Sequence, residues 1–211
     1  MTDESTPLRF PCLVAELPMT RRALEFASTR HRGQRRDADQ APFILHPFEV
    51  AQLLKGRDYP DHVIAAGVLH DVVEDTQVEY AELEQQFGAD VAQLVRAVSE
   101  PSSEGSYRER WTRLRAAVAT ADGNALAIYA ADKVAKTREL RMRLARTPEV
   151  APDPDKLEHY WARLDLLETR LGHHPLVRPL RFELEGLALL PPGGKPKPRS
   201  AQRRSIALLA A

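Results

Sequence analysis

The chain has 211 residues, and 43% of them are hydrophobic, so it is long enough to build one domain with a substantial core. Its 30 basic and 30 acidic residues cancel to a formal net charge of +0. This balance argues against a general nucleic-acid binder, which is normally strongly basic, although it permits a local basic pocket. The single cysteine, Cys12, excludes a disulfide framework within the chain and favours a reducing compartment.

The first ten residues, "MTDESTPLRF", are acidic and polar, which is unlike a signal peptide. No apolar run approaches the length that spans a bilayer. We therefore predict a cytoplasmic protein that does not bind membranes.

Apolar residues recur at helical spacing along most of the chain, and no segment has the clean alternation of a strand. The first predicted helix covers residues 20–34, and the second begins with Pro47 as its first helical residue. The third opens with Asp61 as its N-cap and continues to Asp75. Residues 79–100 read as two short helices that are separated at Gly88.

Further helices are predicted over residues 107–121, 125–146, 156–172 and about 176–190, with a loop at 101–106, a turn at 122–124 and a Pro-rich connector at 148–155. We predict an all-α, compact, single-domain helical bundle. It has an N-terminal segment at 1–19, a folded domain at 20–190 and a tail at 191–211. Since the tail is rich in Pro, Gly and basic residues, we expect it to be disordered.

The stretch "VLHDVVEDT", residues 68–76, places one imidazole and three carboxylates after an apolar run. On one continuous helix, His70, Asp71, Glu74 and Asp75 fall within an arc of roughly 140°. Carboxylates this close repel one another, and the repulsion grows with burial. A solvated helix end is the simpler interpretation, but a divalent cation would turn this repulsion into a stabilising interaction.

Two adjacent ligands cannot complete a coordination sphere, so others must come from elsewhere in the chain. His46, held rigidly before Pro47, is one candidate, and Asp132, which follows the apolar run "ALAIYAA", is another. Imidazoles and carboxylates together suit Mn²⁺, Fe, Zn or Mg, and the share of carboxylates favours Mn²⁺.

Four motifs, "HPFEVA", "AAGVLHDVVEDT", "FGADVAQLV" and "AADK", occur here in the same order and at similar spacing as in a known family. The sequence resembles the HD hydrolase domain of Rel/SpoT alarmone enzymes, and above all the stand-alone small alarmone hydrolases. The resemblance covers roughly Phe26 to Leu187. It implies an HD-type helical fold with one Mn²⁺ and removal of the 3′-pyrophosphate from ppGpp or pppGpp, giving GDP or GTP.

The resemblance also implies roles for individual residues. Glu74 and Asp75 match the catalytic acidic pair, and Arg36 matches an arginine that stacks on guanine. Arg32 and Arg35, in the same "RGQRRDAD" loop, add positive potential around the substrate, whereas His31 has no ligand role. The implied metal ligands are His46, His70, Asp71 and Asp132.

Two positions depart from the family pattern. Asp37 stands where the family commonly has Lys, and Lys136 replaces an Asn that contacts the nucleotide sugar. We expect Lys136 to contact the substrate, but these changes alter base and sugar recognition. Two alternatives therefore stand beside an alarmone hydrolase. One is a hydrolase for another phosphorylated nucleotide, such as NADPH or a nucleotide with a 2′- or 3′-phosphate, and the other is a non-catalytic module that binds an alarmone or a protein.

Overall fold

The computed structural model describes residues 16–100, 104–146 and 154–189. Within these ranges the chain forms helices without a strand, and an isolated bridge joins Arg35 to Pro42. The helices are α1 (Pro18–Arg30), α2 (Leu45–Lys55), α3 (Asp61–Leu69), α4 (Val72–Asp75), α5 (Tyr80–Phe87), α6 (Ala89–Val98), α7 (Tyr107–Thr120), α8 (Gly123–Arg146), α9 (Pro154–Leu171) and α10 (Val177–Leu189). The predicted all-α fold is thus confirmed. The predicted tail at 191–211, and most of the predicted segment at 1–19, lie outside the described residues.

None of the described helices combines the length and the apolar composition that crossing a membrane would require.

Helices α1, α2, α8 and α9 each begin two residues earlier than predicted. Helix α2 begins at Leu45, so Pro47 stands in its first turn, where the missing N–H leaves no intrahelical bond unmade. Helix α8 begins at Gly123, within the predicted turn, and Asp122 Oδ1 accepts a hydrogen bond from the amide of Ala125 at 2.8 Å. The polar residues that suggest a turn therefore cap the longest helix.

The predicted continuous helix from Asp61 to Asp75 is interrupted. Helix α3 ends at Leu69, and α4 starts at Val72. His70 Nδ1 lies 2.8 Å from the carbonyl oxygen of Gly67, the acceptor that the amide of Asp71 would use in a continuing helix. His70 and Asp71 nonetheless keep right-handed backbone angles, so the chain advances in nearly the same direction.

Two apolar helices form the centre of the core. Every residue of α3 from Val63 to Leu69 is buried, and so is the run Ala125–Ala135 of α8. Helix α3 packs against α1, α2, α6 and α8. Gly67 permits the close approach of α2, since a Cβ at this position would lie 2.5 Å from Leu54 Cδ1 and 3.3 Å from Val50 Cγ1. The apolar interior thus holds the end of α3, the adjoining α2 and the middle of α8 in fixed relation.

Asp61 does not cap its own helix as predicted. It is the first residue of α3, and Pro60 occupies the N-cap position. Its carboxylate instead accepts hydrogen bonds from the amides of Met19 and Thr20, both at 2.8 Å, and from Thr20 Oγ1 at 2.6 Å. The side chain therefore caps α1 across 41 residues of sequence and ties α1 to α3.

Substitution Asp61→Ala removes three hydrogen bonds at the start of α1. We expect the free energy of unfolding to fall by about 1–3 kcal/mol, because two amide donors lose their acceptor. Urea denaturation measures this difference. The control Glu84→Ala, at an exposed position of α5, should change stability by less than about 0.5 kcal/mol. Equal stability of the two variants would contradict this role of Asp61.

Candidate metal centre

Four side chains that are distant in sequence meet at one point. His46 comes from the first turn of α2, His70 and Asp71 from the junction of α3 with α4, and Asp132 from the middle of α8. One donor atom from each residue lies within 4.8 Å of the others. All four residues are buried, with 1% to 4% of their surface exposed. The structure thus brings together the four residues that the sequence proposes as ligands.

The donor atoms have the spacing that ligands around one small cation adopt. His46 Nε2 lies 3.3 Å from His70 Nε2, 3.4 Å from Asp71 Oδ2 and 3.3 Å from Asp132 Oδ1. His70 Nε2 lies 3.1 Å from Asp71 Oδ2 and 3.4 Å from Asp132 Oδ1. Ligands held about 2.1 Å from a first-row divalent ion stand roughly 3.0–3.4 Å apart at octahedral or tetrahedral angles.

The same oxygens lack hydrogen bonds. Asp71 Oδ2 and Asp132 Oδ1 are buried and have no hydrogen-bond partner of good geometry. A buried carboxylate oxygen that makes no hydrogen bond is costly even with charged groups nearby, so these two atoms fit a cation. His70 Nδ1 faces the carbonyl of Gly67, which directs Nε2 and its lone pair at the centre of the cluster. This donor set therefore fits a divalent metal ion.

The protonation of the buried ligand groups depends on the charges around them. Burial opposes the charged form of His70, but Asp71 and Asp132 outweigh it and raise the pKa of the imidazole to about 10. Burial likewise opposes ionisation of the two aspartates, yet neighbouring cations hold the pKa of both carboxyls well below the ordinary value. The proton on His70 offsets part of the carboxylate charge, and a metal ion that binds Nε2 would replace that proton.

The acidic pair lies one helical turn beyond Asp71, at the rim of the cluster. The side chains of Glu74 and Asp75 reach solvent. Partial loss of hydration, followed by the charge of Asp71, raises the pKa of both carboxyls. Glu74 Oε1 accepts a hydrogen bond from the amide of Glu100 at 2.6 Å. The pair is thus separate from the four buried residues but next to them, with a raised affinity for protons.

The arginines of the predicted basic loop differ in exposure. Arg32 and Arg35 are exposed, whereas Arg36 is buried and its Nη2 donates to Asp39 Oδ2 at 3.0 Å. Asp37 is exposed, and its carboxylate lies 4.0 Å from Arg143 Nη1 in α8. Arg36, to which the resemblance assigns base stacking, therefore already has an acidic partner within its own loop.

Lys136 lies against the proposed ligands rather than apart from them. Its Nζ is 3.3 Å from Asp71 Oδ1 and 3.3 Å from Asp132 Oδ1. Lys133 pairs with the other oxygen of Asp132 and lies 4.6 Å from the centre of the Tyr129 ring. Burial lowers the pKa of Lys133 to about 8. Sequence reasoning gave Lys133 no role, although its position directly after Asp132 in a buried helix was a usable signal.

His31, which has no predicted ligand role, is buried beside the cluster. Its ring lies 4.7 Å from Phe43, which lies 5.8 Å from His46, and the two ligand imidazoles are 5.2 Å apart. His31 Nδ1 is 2.7 Å from Gln34 Oε1, and Gln34 Nε2 donates to the carbonyl oxygen of Asp75 at 2.8 Å. His31 thus packs the loop after α1 against both the ligands and the acidic pair.

Known proteins with related sequences point to one family. The HD domain family matches residues 23–158. Guanosine-3′,5′-bis(diphosphate) 3′-pyrophosphohydrolase MESH1 of Danio rerio is 43% identical over 83 residues, which cover 38% of this chain and 46% of the relative. MESH1 of Drosophila melanogaster is 36% identical over 123 residues, covering 56% of this chain and 68% of the relative. The chain thus spans less than half the length of the fish protein, and about two thirds of the insect one.

Solved structures agree on the fold. A metazoan SpoT orthologue, described as hydrolysing ppGpp, superposes with a TM-score of 0.65 at 24% identity, over 85% of this chain and 96% of that one. The protein lmo0812 from Listeria monocytogenes superposes with a TM-score of 0.63 at 24% identity, over 69% and 97% of the two chains. At this identity the likeness establishes the fold alone. Together with the sequence match, it confirms the predicted family: the chain belongs to the HD domain family.

Proposed function

We propose that the protein is a metal-dependent phosphohydrolase that removes the 3′-pyrophosphate from ppGpp or pppGpp, giving GDP or GTP and pyrophosphate. The observation that carries this proposal is the convergence of four buried ligand groups with Glu74 and Asp75 at their rim. The activity named for MESH1 relatives supports the choice of substrate.

The proposed cation site consists of His46, His70, Asp71 and Asp132. A divalent ion bound there would supply Lewis acidity toward a phosphoryl oxygen and toward water. We propose Mn²⁺, because two carboxylates join two imidazoles, although the same donors also suit Fe, Zn and Mg.

The acidic pair would supply the proton transfers. Because the pKa of Glu74 and that of Asp75 are both raised, one carboxylate can orient the attacking water and accept its proton, while its neighbour can hold a proton for the leaving 3′-oxygen. Their solvent-facing position leaves a substrate access to them. We propose that Lys136 and the arginines of the loop offset charge on the transferred group.

A second candidate is a related hydrolase for a different phosphorylated nucleotide. Three contacts favour it: Arg36 is engaged by Asp39, Asp37 faces Arg143, and Lys136 contacts the ligand carboxylates. Each contact involves a residue that would recognise the base, sugar or phosphate of a substrate. The four proposed metal ligands are the same for both candidates. The reaction class and the substrate are therefore separate questions.

A nucleotide panel with Mn²⁺ distinguishes the candidates. We expect ppGpp to be converted to GDP and pyrophosphate faster than NADPH or other 2′- or 3′-phosphorylated nucleotides are cleaved, because the MESH1 relatives are named for this reaction. Anion-exchange chromatography identifies the products. Preferential cleavage of another nucleotide would favour the second candidate. Absence of hydrolysis throughout the panel would favour a non-catalytic binding module.

Two substitutions separate metal binding from proton transfer. Asp71→Ala should abolish both bound metal and hydrolysis, because it removes a ligand oxygen. Glu74→Gln should retain the metal but slow hydrolysis by about 10²–10⁴-fold, the usual contribution of a general acid or base. Metal content by mass spectrometry and turnover of ppGpp are measured on the same samples.

The matched control is Glu79→Gln, an exposed glutamate five residues along the chain, which should retain both properties. Full activity of Glu74→Gln would remove Glu74 from the proposed chemistry. Retention of the metal by Asp71→Ala would contradict the proposed ligand set.

A further inference from the structure

Lys136 bridges the two aspartates of the cluster. Its Nζ lies 3.3 Å from one oxygen of each, and Asp132 Oδ1 is also the oxygen that lies 3.3–3.4 Å from both imidazoles. Lysine and aspartate are four residues apart on α8, so helix geometry places both on the same face. The contact between Lys136 and Asp132 therefore follows from their spacing on the helix.

We propose that Lys136 is a built-in counter-ion of the metal centre, which stabilises the cation-free site and weakens its affinity for a divalent ion. This inference rests on the proposed metal-binding role of the cluster. It assigns to Lys136 a function toward the cation, in addition to any contact with substrate.

The charges give the direction of the effect. Two carboxylates carry a formal charge of −2, of which the fixed ammonium of Lys133 already offsets one, so a divalent ion balances the remainder without help. Lys136 adds +1 within hydrogen-bonding range of a ligand oxygen, so its ammonium lies less than about 6 Å from any cation that this oxygen binds. Two like charges at this distance in a poorly hydrated site repel strongly. Binding of the ion therefore has to overcome this repulsion or displace the lysine.

Lys136 is free to be displaced, whereas its neighbour Lys133 is held. The side chain of Lys136 is 34% exposed, while that of Lys133 is 7% exposed and packs on Tyr129. Lys133 also pairs with Asp132 Oδ2, the oxygen away from the two imidazoles. Lys136 can thus swing toward solvent when an ion arrives.

Titration of the full chain with Mn²⁺ alone, without nucleotide, tests this inference. Binding is followed by the electron paramagnetic resonance signal of free Mn²⁺. Lys136→Met keeps the length of the side chain but removes its charge, so we expect Mn²⁺ to bind about 10–100-fold more tightly. The metal-free variant should melt at a lower temperature than the wild type and gain more from saturation with Mn²⁺.

Two controls isolate the charge at this position. Lys136→Arg keeps the charge, so its affinity should stay within a few-fold of wild type. Arg141→Met removes a cation from the same helix; its side chain is 40% exposed and pairs with Glu183, so Mn²⁺ affinity should not change. If Lys136→Met does not fold without metal, Lys136→Gln replaces it, with the same expected tightening.

Unchanged or weaker Mn²⁺ binding in the neutral variants would overturn the counter-ion role while leaving the proposed hydrolase intact. If neither the wild type nor the neutral variants bind Mn²⁺, Fe²⁺, Zn²⁺ or Mg²⁺, both the counter-ion role and the metal-dependent hydrolase are overturned. A gain in affinity that Lys136→Arg shares would also reject the inference, because it would not depend on charge.

Discussion

The site is built around two buried carboxylates, Asp71 and Asp132, each with an oxygen directed at the same pair of imidazoles. A carboxyl group that is removed from water stays ionised only when positive charge lies nearby. In this protein the positive charge comes from three sources: a proton on His70, Lys133 and Lys136. The two carboxylates are thus surrounded by positive charge inside an otherwise apolar bundle, and a divalent ion would have to displace part of that charge.

The apolar helices make this concentration of charge possible. Helix α3 is buried throughout its last seven residues, and α8 is buried over Ala125–Ala135, so both are held by packing rather than by polar contacts at the site. His70 and Asp71 directly follow the buried segment of α3, and Asp132 lies within that of α8. Their positions are therefore determined by an interior that the charges themselves do not have to stabilise.

Much of the fold and the candidate ligand set could be predicted from sequence, because helical periodicity and the "HDVVED" motif are local signals. Contacts between distant segments were harder to foresee. The carboxylate of Asp61 has a standard local role as an N-cap, and only the packing of α1 on α3 reveals that it caps the other helix. The break after Leu69 depends on a side-chain contact of His70, which periodicity does not encode. The substrate contact of Lys136 stays a prediction, and its two aspartate partners could not be predicted because a sequence shows the charge of a lysine but not the groups that it reaches.

The row of rings from His31 through Phe43 to His46 and His70 has a mechanical consequence. Neighbouring rings are 4.7–5.8 Å apart, which leaves little free space between them. Movement of the arginine-bearing loop toward α2 would press Phe43 on the imidazole of His46. A molecule that displaced this loop inward would therefore also move one of the four proposed ligands.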